Sequence, residues 1–283
     1  MWHGFRIGTV GTPRSTPKRP GGTVGGIQRL AELDLDALEL GWVRSVRVSE
    51  KTCQAIRETA AKHDVALSVH APYFINLNAD DEEWPKSKKR LLDAAVYGAL
   101  AGATDIVFHP GSYFGAEPKE VLPVALRRLE EVIQELEARG VQVRLRPETM
   151  GKPAMLGSLE DVLEMSRAFP QWVEPCLDFA HLHARAGDGS MNTYEEWARV
   201  LEAYGKALGD AALKRLHIHL SGIDYGPRGE KEHLVFADAD LDLDAILRVL
   251  KDFGAQGRIL VESPTLEDDA LILKDRWLAL HRE

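Results

Sequence analysis

Residues 68–77 have the sequence Ser68-Val69-His70-Ala71-Pro72-Tyr73-Phe74-Ile75-Asn76-Leu77, a short apolar run that delivers a histidine and then breaks at a proline. A strand that carries a reactive side chain at its carboxyl end is the unit from which a parallel α/β barrel builds its active site. Five later segments of the chain repeat this design. The repetition, rather than any one histidine, predicts the fold.

Strand-like and helix-like patterns alternate along the whole chain. The strand-like runs cover residues 6–10, 36–40, 66–70, 104–111, 141–148, 174–181, 213–220 and 258–263. Helical patterns follow them at residues 27–33, 82–101, 118–139, 193–208 and 243–253. Two further helices begin at residues 49 and 158, and a last helix after strand eight ends at about residue 281. This alternation predicts an α/β protein with a (β/α)₈ TIM barrel. No linker-like change in composition divides the chain, so we expect residues 1–283 to form a single TIM-barrel domain.

Composition sets limits on the possible partners. The 283 residues are 45% hydrophobic and 28% charged, which is ordinary for a globular protein. The formal charge of −9 has the wrong sign for binding nucleic acid through a generally basic surface, although bound divalent metals can reverse the field locally. No long apolar run or secretory signal is present, so we expect a cytoplasmic protein with no membrane partner. Cys53 and Cys176 are far apart, which argues against a disulfide framework.

The last inward-facing side chains of strands three to eight form one chemical set. They are His70, His109, Glu148, Asp178 with His181, His219 and Glu262. Strand carboxyl ends converge on one mouth of such a barrel. Imidazole and carboxylate donors suit Zn²⁺, Mn²⁺ or Fe and give Ca²⁺ too few oxygen atoms. The pattern therefore predicts a metal centre.

Strand periodicity separates neighbouring candidates. His217 and His219 face the same way, but His219 is nearer the mouth, so we expect His219 to be the ligand and His217 to lie one layer below. Arg146 shares a face with Glu148 and must be paired if it is buried. We expect a carboxylate partner such as Glu39, with phosphate binding as the second possibility.

The loop after strand seven contains further candidates. Glu230 and His233 are predicted metal ligands that can return to the mouth, and Glu232 is a weaker candidate. After strand two, Trp42 beside Arg44 and Arg47 suits stacking on a nucleotide, or else Trp42 packs under its own helix. The other histidines are predicted to be structural or surface residues: His3, His63, His183 and His281.

Several of these motifs together resemble the endonuclease IV family of apurinic/apyrimidinic endonucleases. They are residues 69–77, Phe108-His109-Pro110-Gly111-Ser112, Pro147-Glu148-Thr149, Cys176-Leu177-Asp178-Phe179-Ala180-His181, His217-Ile218-His219-Leu220-Ser221 and Val261-Glu262-Ser263. The resemblance implies a zinc barrel with two or three ions, Mn²⁺ being possible. It also implies that the enzyme hydrolyses damaged double-stranded DNA on the 5′ side of an abasic site and has 3′-phosphodiesterase activity. No obligate protein partner is expected.

The resemblance also assigns roles to individual residues. His70 and His109 would hold one zinc, and Glu148 would bridge it to a second zinc. Asp178, His219 and Glu262 would complete the second site, and His181 would hold the third zinc. Glu148 and Glu262 are the predicted catalytic residues.

The same resemblance predicts how DNA is contacted. Tyr73 and Phe74 match the side chains that the family inserts at the lesion, although they can also pack beneath their loop. Trp42 and Arg44 approximate the penetrating residues expected after strand two. The last loop departs from the family pattern of an aspartate and a histidine two residues apart, because Glu230 and Glu232 have that spacing and His233 follows one step later.

Two other functions are compatible with the same residues. Sugar isomerases and epimerases of the xylose isomerase-like superfamily share the architecture and also place histidine, glutamate and aspartate at the mouth. They need one or two metals and a base directed at a carbon-bound proton, and they have little use for Tyr73 and Phe74. A barrel that binds metal or DNA without catalysis is the third possibility, and the nearly complete ligand set argues against it.

Overall fold

The computed structural model describes residues 4–282. The strands are β1 (Phe5–Val10), β2 (Ala37–Gly41), β3 (Ala66–His70), β4 (Asp105–Phe108), β5 (Gly111–Ser112), β6 (Arg144–Pro147), β7 (Met155–Leu156), β8 (Cys176–Asp178), β9 (Leu216–Leu220), β10 (Gly222–Gly226), β11 (Gly229–Leu234) and β12 (Gly257–Val261). The helices are α1 (Gly22–Glu32), α2 (Glu50–His63), α3 (Trp84–Ala101), α4 (Pro118–Ala138), α5 (Leu159–Ala168), α6 (Phe179–Arg185), α7 (Tyr194–Leu208), α8 (Leu243–Asp252) and α9 (Glu267–Leu280). Short 3₁₀ segments cover Asp210–Arg215 and Phe236–Asp238.

The main sheet has the strand order β6-β4-β3-β2-β1-β12-β9-β8, and all of its ladders are parallel. Its two edge strands, β6 and β8, meet through the isolated bridges Leu145–Val173 and Glu148–Cys176. We call this β6–β8 junction the seam. Closure at the seam makes the sheet a barrel, so the predicted (β/α)₈ TIM barrel is confirmed.

Buried strands and amphipathic helices follow from the residue pattern. Leu67 and Val69 of β3 are buried, as expected for a barrel strand that is covered on both faces. Ser49 caps α2 by accepting a hydrogen bond from the Thr52 amide. Ser158 caps α5 in a capping box with Asp161. Within residues 4–282, no helix is both long and apolar enough to cross a bilayer.

The region predicted as strand six differs from expectation. β8 ends at Asp178, and the chain enters α6 at once because the Asp178 side chain accepts a hydrogen bond from the His181 amide at 2.7 Å. His181 therefore lies in the first turn of a helix. Residues 213–215, predicted as strand, belong to the 3₁₀ segment before β9, and the predicted loop 221–240 contains the antiparallel hairpin β10–β11.

Arg146 is paired with carboxylates as predicted, but Glu39, the partner suggested, is not one of them. The Arg146 guanidinium extends toward the amino ends of the strands, where its Nε lies 2.5 Å from Asp105 Oδ1 and its Nη1 lies 3.2 Å from Glu174 Oε2. Glu39 points toward the mouth instead and accepts hydrogen bonds from His217 and from Ser68. Strand parity placed Arg146 inside the barrel correctly, but the length of its side chain carries the charge to a lower layer.

Candidate metal centre

The predicted donors converge at the carboxyl ends of the strands. One group of donor atoms within 4.8 Å of one another comes from His70, His109 and Glu148. A second group, at the same separation, comes from Glu148, Asp178, His219 and Glu262. Glu148 belongs to both groups, so its carboxylate lies between two potential metal positions.

Glu148 is fully buried and surrounded by imidazoles. Its Oε2 lies 3.3 Å from His70 Nε2 and 3.4 Å from His109 Nε2. Its Oε1 lies 3.2 Å from His181 Nδ1 and 3.4 Å from His219 Nδ1. Burial alone would raise the pKa of Glu148, but His219, His109 and His181 outweigh it and hold the pKa well below its usual value. The carboxylate is therefore anionic and has an oxygen atom for each donor group.

Backbone carbonyls orient two of the histidines. His70 Nδ1 lies 2.9 Å from the Ala71 carbonyl, and His181 Nδ1 lies 2.9 Å from the Thr149 carbonyl. A carbonyl only accepts, so each Nδ1 carries the hydrogen and each Nε2 is left to bind a metal. Burial lowers the pKa of His70, but Glu148 outweighs burial and raises it to about 9.

A buried carboxylate orients His219 in the opposite sense. Its Nε2 lies 2.9 Å from Glu39 Oε1, and its Nδ1 faces Glu148 and Glu262 at 3.4 Å and 3.5 Å. His217 lies one layer below, with its Nε2 2.9 Å from Glu39 Oε2. Metal-binding histidines characteristically donate their second nitrogen to such a carboxylate. Cys176, His217 and His219 also form a compact group, but Glu39 occupies a nitrogen of each histidine.

Asp178 belongs to the second donor group, and its Oδ2 also lies 3.3 Å from His181 Nδ1. Its pKa is raised to about 6, first by burial and then by Glu148 and Glu262, against the lowering effect of His181. The neighbouring carboxylates therefore disfavour the ionised form of Asp178, and a cation bound beside them would favour it.

A third set of donors comes from α6 and the hairpin. His181 Nε2 lies 3.3 Å from Glu230 Oε2 and 3.3 Å from His233 Nε2. His233 Nδ1 lies 3.2 Å from Ser221 Oγ, which leaves His233 Nε2 facing His181. Glu232 is exposed and takes no part in this set.

A β-bulge explains the unusual spacing of Glu230 and His233. The hairpin ladder pairs Tyr225 with Glu230 and Asp224 with Glu232, so Lys231 is the extra residue. Residues three apart face opposite sides of a regular strand, and one extra residue puts them back on the same side. The hairpin also packs closely on Gly151, where a Cβ atom would lie 2.1 Å from Glu230 Oε2.

The residues present fit a cluster of divalent metals. Buried atoms without a hydrogen-bond partner among the described residues include both oxygens of Glu148, Asp178 Oδ2, His219 Nδ1 and Glu230 Oε2. Leaving one such atom unsatisfied costs about 1–3 kcal/mol. Their concentration where imidazole and carboxylate donors meet is the arrangement that Zn²⁺, Mn²⁺ or Fe would satisfy.

The remaining histidines have other environments. His183 is buried in α6. Its nitrogens lie 2.8 Å from the Met191 carbonyl and 2.9 Å from Asp240 Oδ1, so it connects α6 to these two segments. His63 ends α2, and His281 follows α9. His3 lies outside the described residues.

Aromatic side chains rim the mouth. Tyr73 is 50% exposed and Phe74 is 61% exposed, so neither is packed beneath its loop. The Tyr73 ring stacks on His109 with centroids 5.0 Å apart, next to the first donor group. Trp42 is half-buried and packs against the core, whereas Arg44 is exposed. The Tyr73 amide donates to the Val43 carbonyl at 2.9 Å, which ties these two loops together.

The sequence analysis missed Phe114, which is 71% exposed in the loop after β5. Its φ of +51° lies in the left-handed region, which is uncommon for a residue with a side chain. The Asn78 amide donates to the Ser112 carbonyl at 2.9 Å and joins this loop to that of Tyr73. An aromatic residue before Gly115, close after the ligand motif at His109, was the available signal.

Comparison with known proteins agrees with these motifs. The chain is 36% identical over 269 residues to an uncharacterised protein of Methanocaldococcus jannaschii, with 94% of each chain covered. It is 28% identical over 270 residues to Endonuclease 4 of Thermus thermophilus, covering 89% of this chain and 92% of that relative. The predicted resemblance to the endonuclease IV family is thereby confirmed.

Solved structures share the fold. The crystal structure of an endonuclease IV from Thermus thermophilus matches with a TM-score of 0.71 and 24% identity, covering 97% of this chain and 100% of that one. A D-tagatose 3-epimerase-like protein matches with a TM-score of 0.70 and 20% identity, covering 96% and 97%. The family model described as "Xylose isomerase-like TIM barrel" matches residues 27–279. The chain therefore belongs to the xylose isomerase-like TIM barrel family.

Proposed function

We propose that the chain is a DNA repair endonuclease that hydrolyses the phosphodiester on the 5′ side of an apurinic/apyrimidinic site, with 3′-phosphodiesterase activity. The observation that carries the proposal is the position of Glu148, whose two oxygens face two donor groups beneath exposed aromatic side chains. Similarity to Endonuclease 4 over most of the chain supports the same reaction. The proposed partner is damaged double-stranded DNA.

The proposal assigns each donor a place in a zinc centre of two or three ions, with Mn²⁺ as a possible substitute. His70 and His109 would hold one ion, Glu148 would be shared with a second, and the second would also take Asp178, His219 and Glu262. The third would take His181, Glu230 and His233. Ions bound there would supply Lewis-acid activation of water and stabilisation of the departing oxygen.

Glu262 is the second proposed catalytic residue because it lies between His219 of the second donor group and His233 of the third set. Its Oε1 lies 3.5 Å from His219 Nδ1, and its Oε2 lies 3.7 Å from His233 Nδ1. Unlike Glu148, it is not fully buried, so it borders the space that substrate enters. From there it can orient the attacking water and accept its proton while the bond to the 3′ oxygen breaks.

The exposed aromatics would select the lesion. Extruding a nucleotide costs a few kcal/mol, and least where pairing is already lost, so an abasic site is favoured over intact duplex. Tyr73 and Phe74, which are exposed, would fill the gap, and the exposed Phe114 would add a further aromatic contact. Arg44 is exposed on the adjoining loop and can neutralise a backbone phosphate, while Trp42 supports that loop from below.

The proposal is tested by incubating zinc-loaded protein with a duplex that contains one tetrahydrofuran abasic analogue. We expect a single nick on the 5′ side of the analogue and none in the undamaged duplex. Glu148→Gln and Glu262→Gln should each lower the rate by roughly 10²–10⁴-fold, the range for a positioned acid–base group. Glu232→Gln makes the same change in charge on the outer side of the hairpin and should keep full activity.

The main alternative is a sugar isomerase or epimerase, and the same preparation distinguishes it. Its support is the fold that the chain shares with solved structures such as a D-tagatose 3-epimerase-like protein. If the metal-loaded protein left the abasic duplex intact at low salt while it isomerised or epimerised a free ketose, the endonuclease proposal would be wrong.

A further inference from the structure

A cavity of about 1490 Å³ opens on the face of the barrel opposite the candidate metal centre. The beginnings of the barrel strands line it, including Arg6 of β1, Asp105 of β4, Arg144 of β6 and Arg258 of β12. The metal donors lie at the other ends of these strands. The cavity is therefore separate from the centre described above.

The cavity lining is strongly basic in a chain with a formal charge of −9. Its cationic side chains are Arg6, Arg57, Arg139, Arg144, Arg146, Lys214, Arg215 and Arg258. The carboxylates in the lining are Asp105 and Glu137. Several cations have local roles, since Arg57 donates to the Ala99 carbonyl and Lys214 donates to the Gly254 carbonyl. The deeper arginines also donate to carbonyls, Arg146 to those of Pro175 and Arg215, and Arg258 to that of Leu67, and in addition they surround two buried carboxylates.

The first deep carboxylate, Asp105, is shared by two arginines. Its Oδ1 lies 2.5 Å from Arg146 Nε, and its Oδ2 lies 3.0 Å from Arg258 Nη2. Asp105 is only 4% exposed. Burial would raise its pKa, but Arg258 and Arg146 outweigh burial and hold the pKa far below its usual value, so it is ionised.

The second deep carboxylate, Glu174, is shared by three arginines. It lies 2.6 Å from Arg215 Nε, 3.2 Å from Arg146 Nη1 and 3.8 Å from Arg144 Nη1. Glu174 is 2% exposed. Four guanidinium groups thus share two carboxylates, and two positive charges are left over around a partly enclosed space.

We propose that this cavity binds a small phosphate-bearing anion. A phosphoryl dianion has the charge that balances the excess, and its oxygens match the planar donor fork of arginine. Excess positive charge around two shared carboxylates is costly, so such an anion would be favoured there. Arg144 and Arg215 are the partly exposed members of the cluster and would contact the anion first. This inference does not depend on the proposed endonuclease activity.

The test is calorimetric titration of the zinc-loaded protein at low ionic strength with inorganic phosphate and, separately, with pyrophosphate. We expect Arg144→Gln to weaken binding at this site at least tenfold. Arg276→Gln serves as the matched control, because Arg276 pairs with Asp244 on the outer surface and is not part of the cavity. It makes the same change in charge and should bind as the unchanged protein does.

Arg215→Gln is the second test variant, because Arg215 is half-exposed and its replacement disturbs the core less. Anion held at the metal centre would be insensitive to both cavity variants, so their effect separates the two sites. Stronger binding of pyrophosphate would indicate a larger phosphorylated compound, and stronger binding of phosphate would indicate the free ion or a monoester. Equal binding by the unchanged protein and both variants, or no binding at all, would overturn the proposal.

Discussion

At the scale of single residues, Glu39 is a positioning residue for the metal centre although it lies outside the donor groups. It is fully buried and accepts hydrogen bonds from Ser68 Oγ at 2.7 Å and from His217 Nε2 at 2.9 Å. Its Oε1 lies 2.9 Å from His219 Nε2. Burial would raise its pKa, but His219 and His217 hold the pKa well below its usual value. The anionic Glu39 therefore turns His219 Nδ1 toward Glu148.

Glu39→Gln is expected to weaken metal binding by roughly 10–100-fold, because a neutral amide orients His219 less strongly. Competition with a coloured zinc chelator measures this affinity. Ser68→Ala removes a neighbour of Glu39 but leaves the contact with His219, so its effect should be much smaller. Unchanged affinity in the folded Glu39→Gln protein would show that His219 is held by other contacts.

At the scale of elements, the β10–β11 hairpin presents ligands through its bulge. Glu230 and His233 face α6 only because Lys231 is the extra residue in the ladder. Glu232 pairs with Asp224 and faces the other way. Glu230 and Glu232 therefore carry the same charge in different surroundings, so Glu232 is a matched control for Glu230.

Glu230→Gln and His233→Ala should each lower the metal content of the purified protein by about one ion per chain, because each removes a donor beside His181. Glu232→Gln should retain the full content. Elemental analysis after dialysis measures the stoichiometry. Loss of an ion in Glu232→Gln, or its retention in both other variants, would contradict the assignment of the third set.

At the scale of the whole molecule, metal binding should stabilise the folded barrel. The donors come from β3, β8, β9, α6, the hairpin and the segments after β4, β6 and β12, and they meet only in the native state. A ligand present at a thousand times its Kd stabilises the native state by about 4 kcal/mol. Removal of metal with a strong chelator should therefore lower Tm by several degrees, and added zinc should restore it. Glu148→Gln should show a smaller shift, and an unchanged Tm in the native sequence would argue against a metal bound at these donors.

Sequence reasoning predicted the barrel and its mouth because both depend on short-range periodicity. His70 and His219 lie near the ends of apolar runs, and position along the strand separates His219 from His217, which shares its face. Other features depend on how distant segments meet. The partner of Arg146 depended on the reach of its side chain, and the role of Lys231 depended on the hairpin register. The basic cavity is lined by residues that are far apart in the sequence, so no local sequence pattern predicts it.

The seam between β6 and β8 connects the chemistry of the site to the closure of the fold. Its strands meet through isolated bridges, and Glu148 and Asp178 lie on its two sides. A metal ion held by both carboxylates would cross-link the barrel where its backbone ladder is least continuous. Closing a loop of about 30 residues in this way restricts the chain as a covalent link does. Loss of that ion would then remove activity and weaken the closure of the barrel together, because Glu148 and Asp178 would contribute to both.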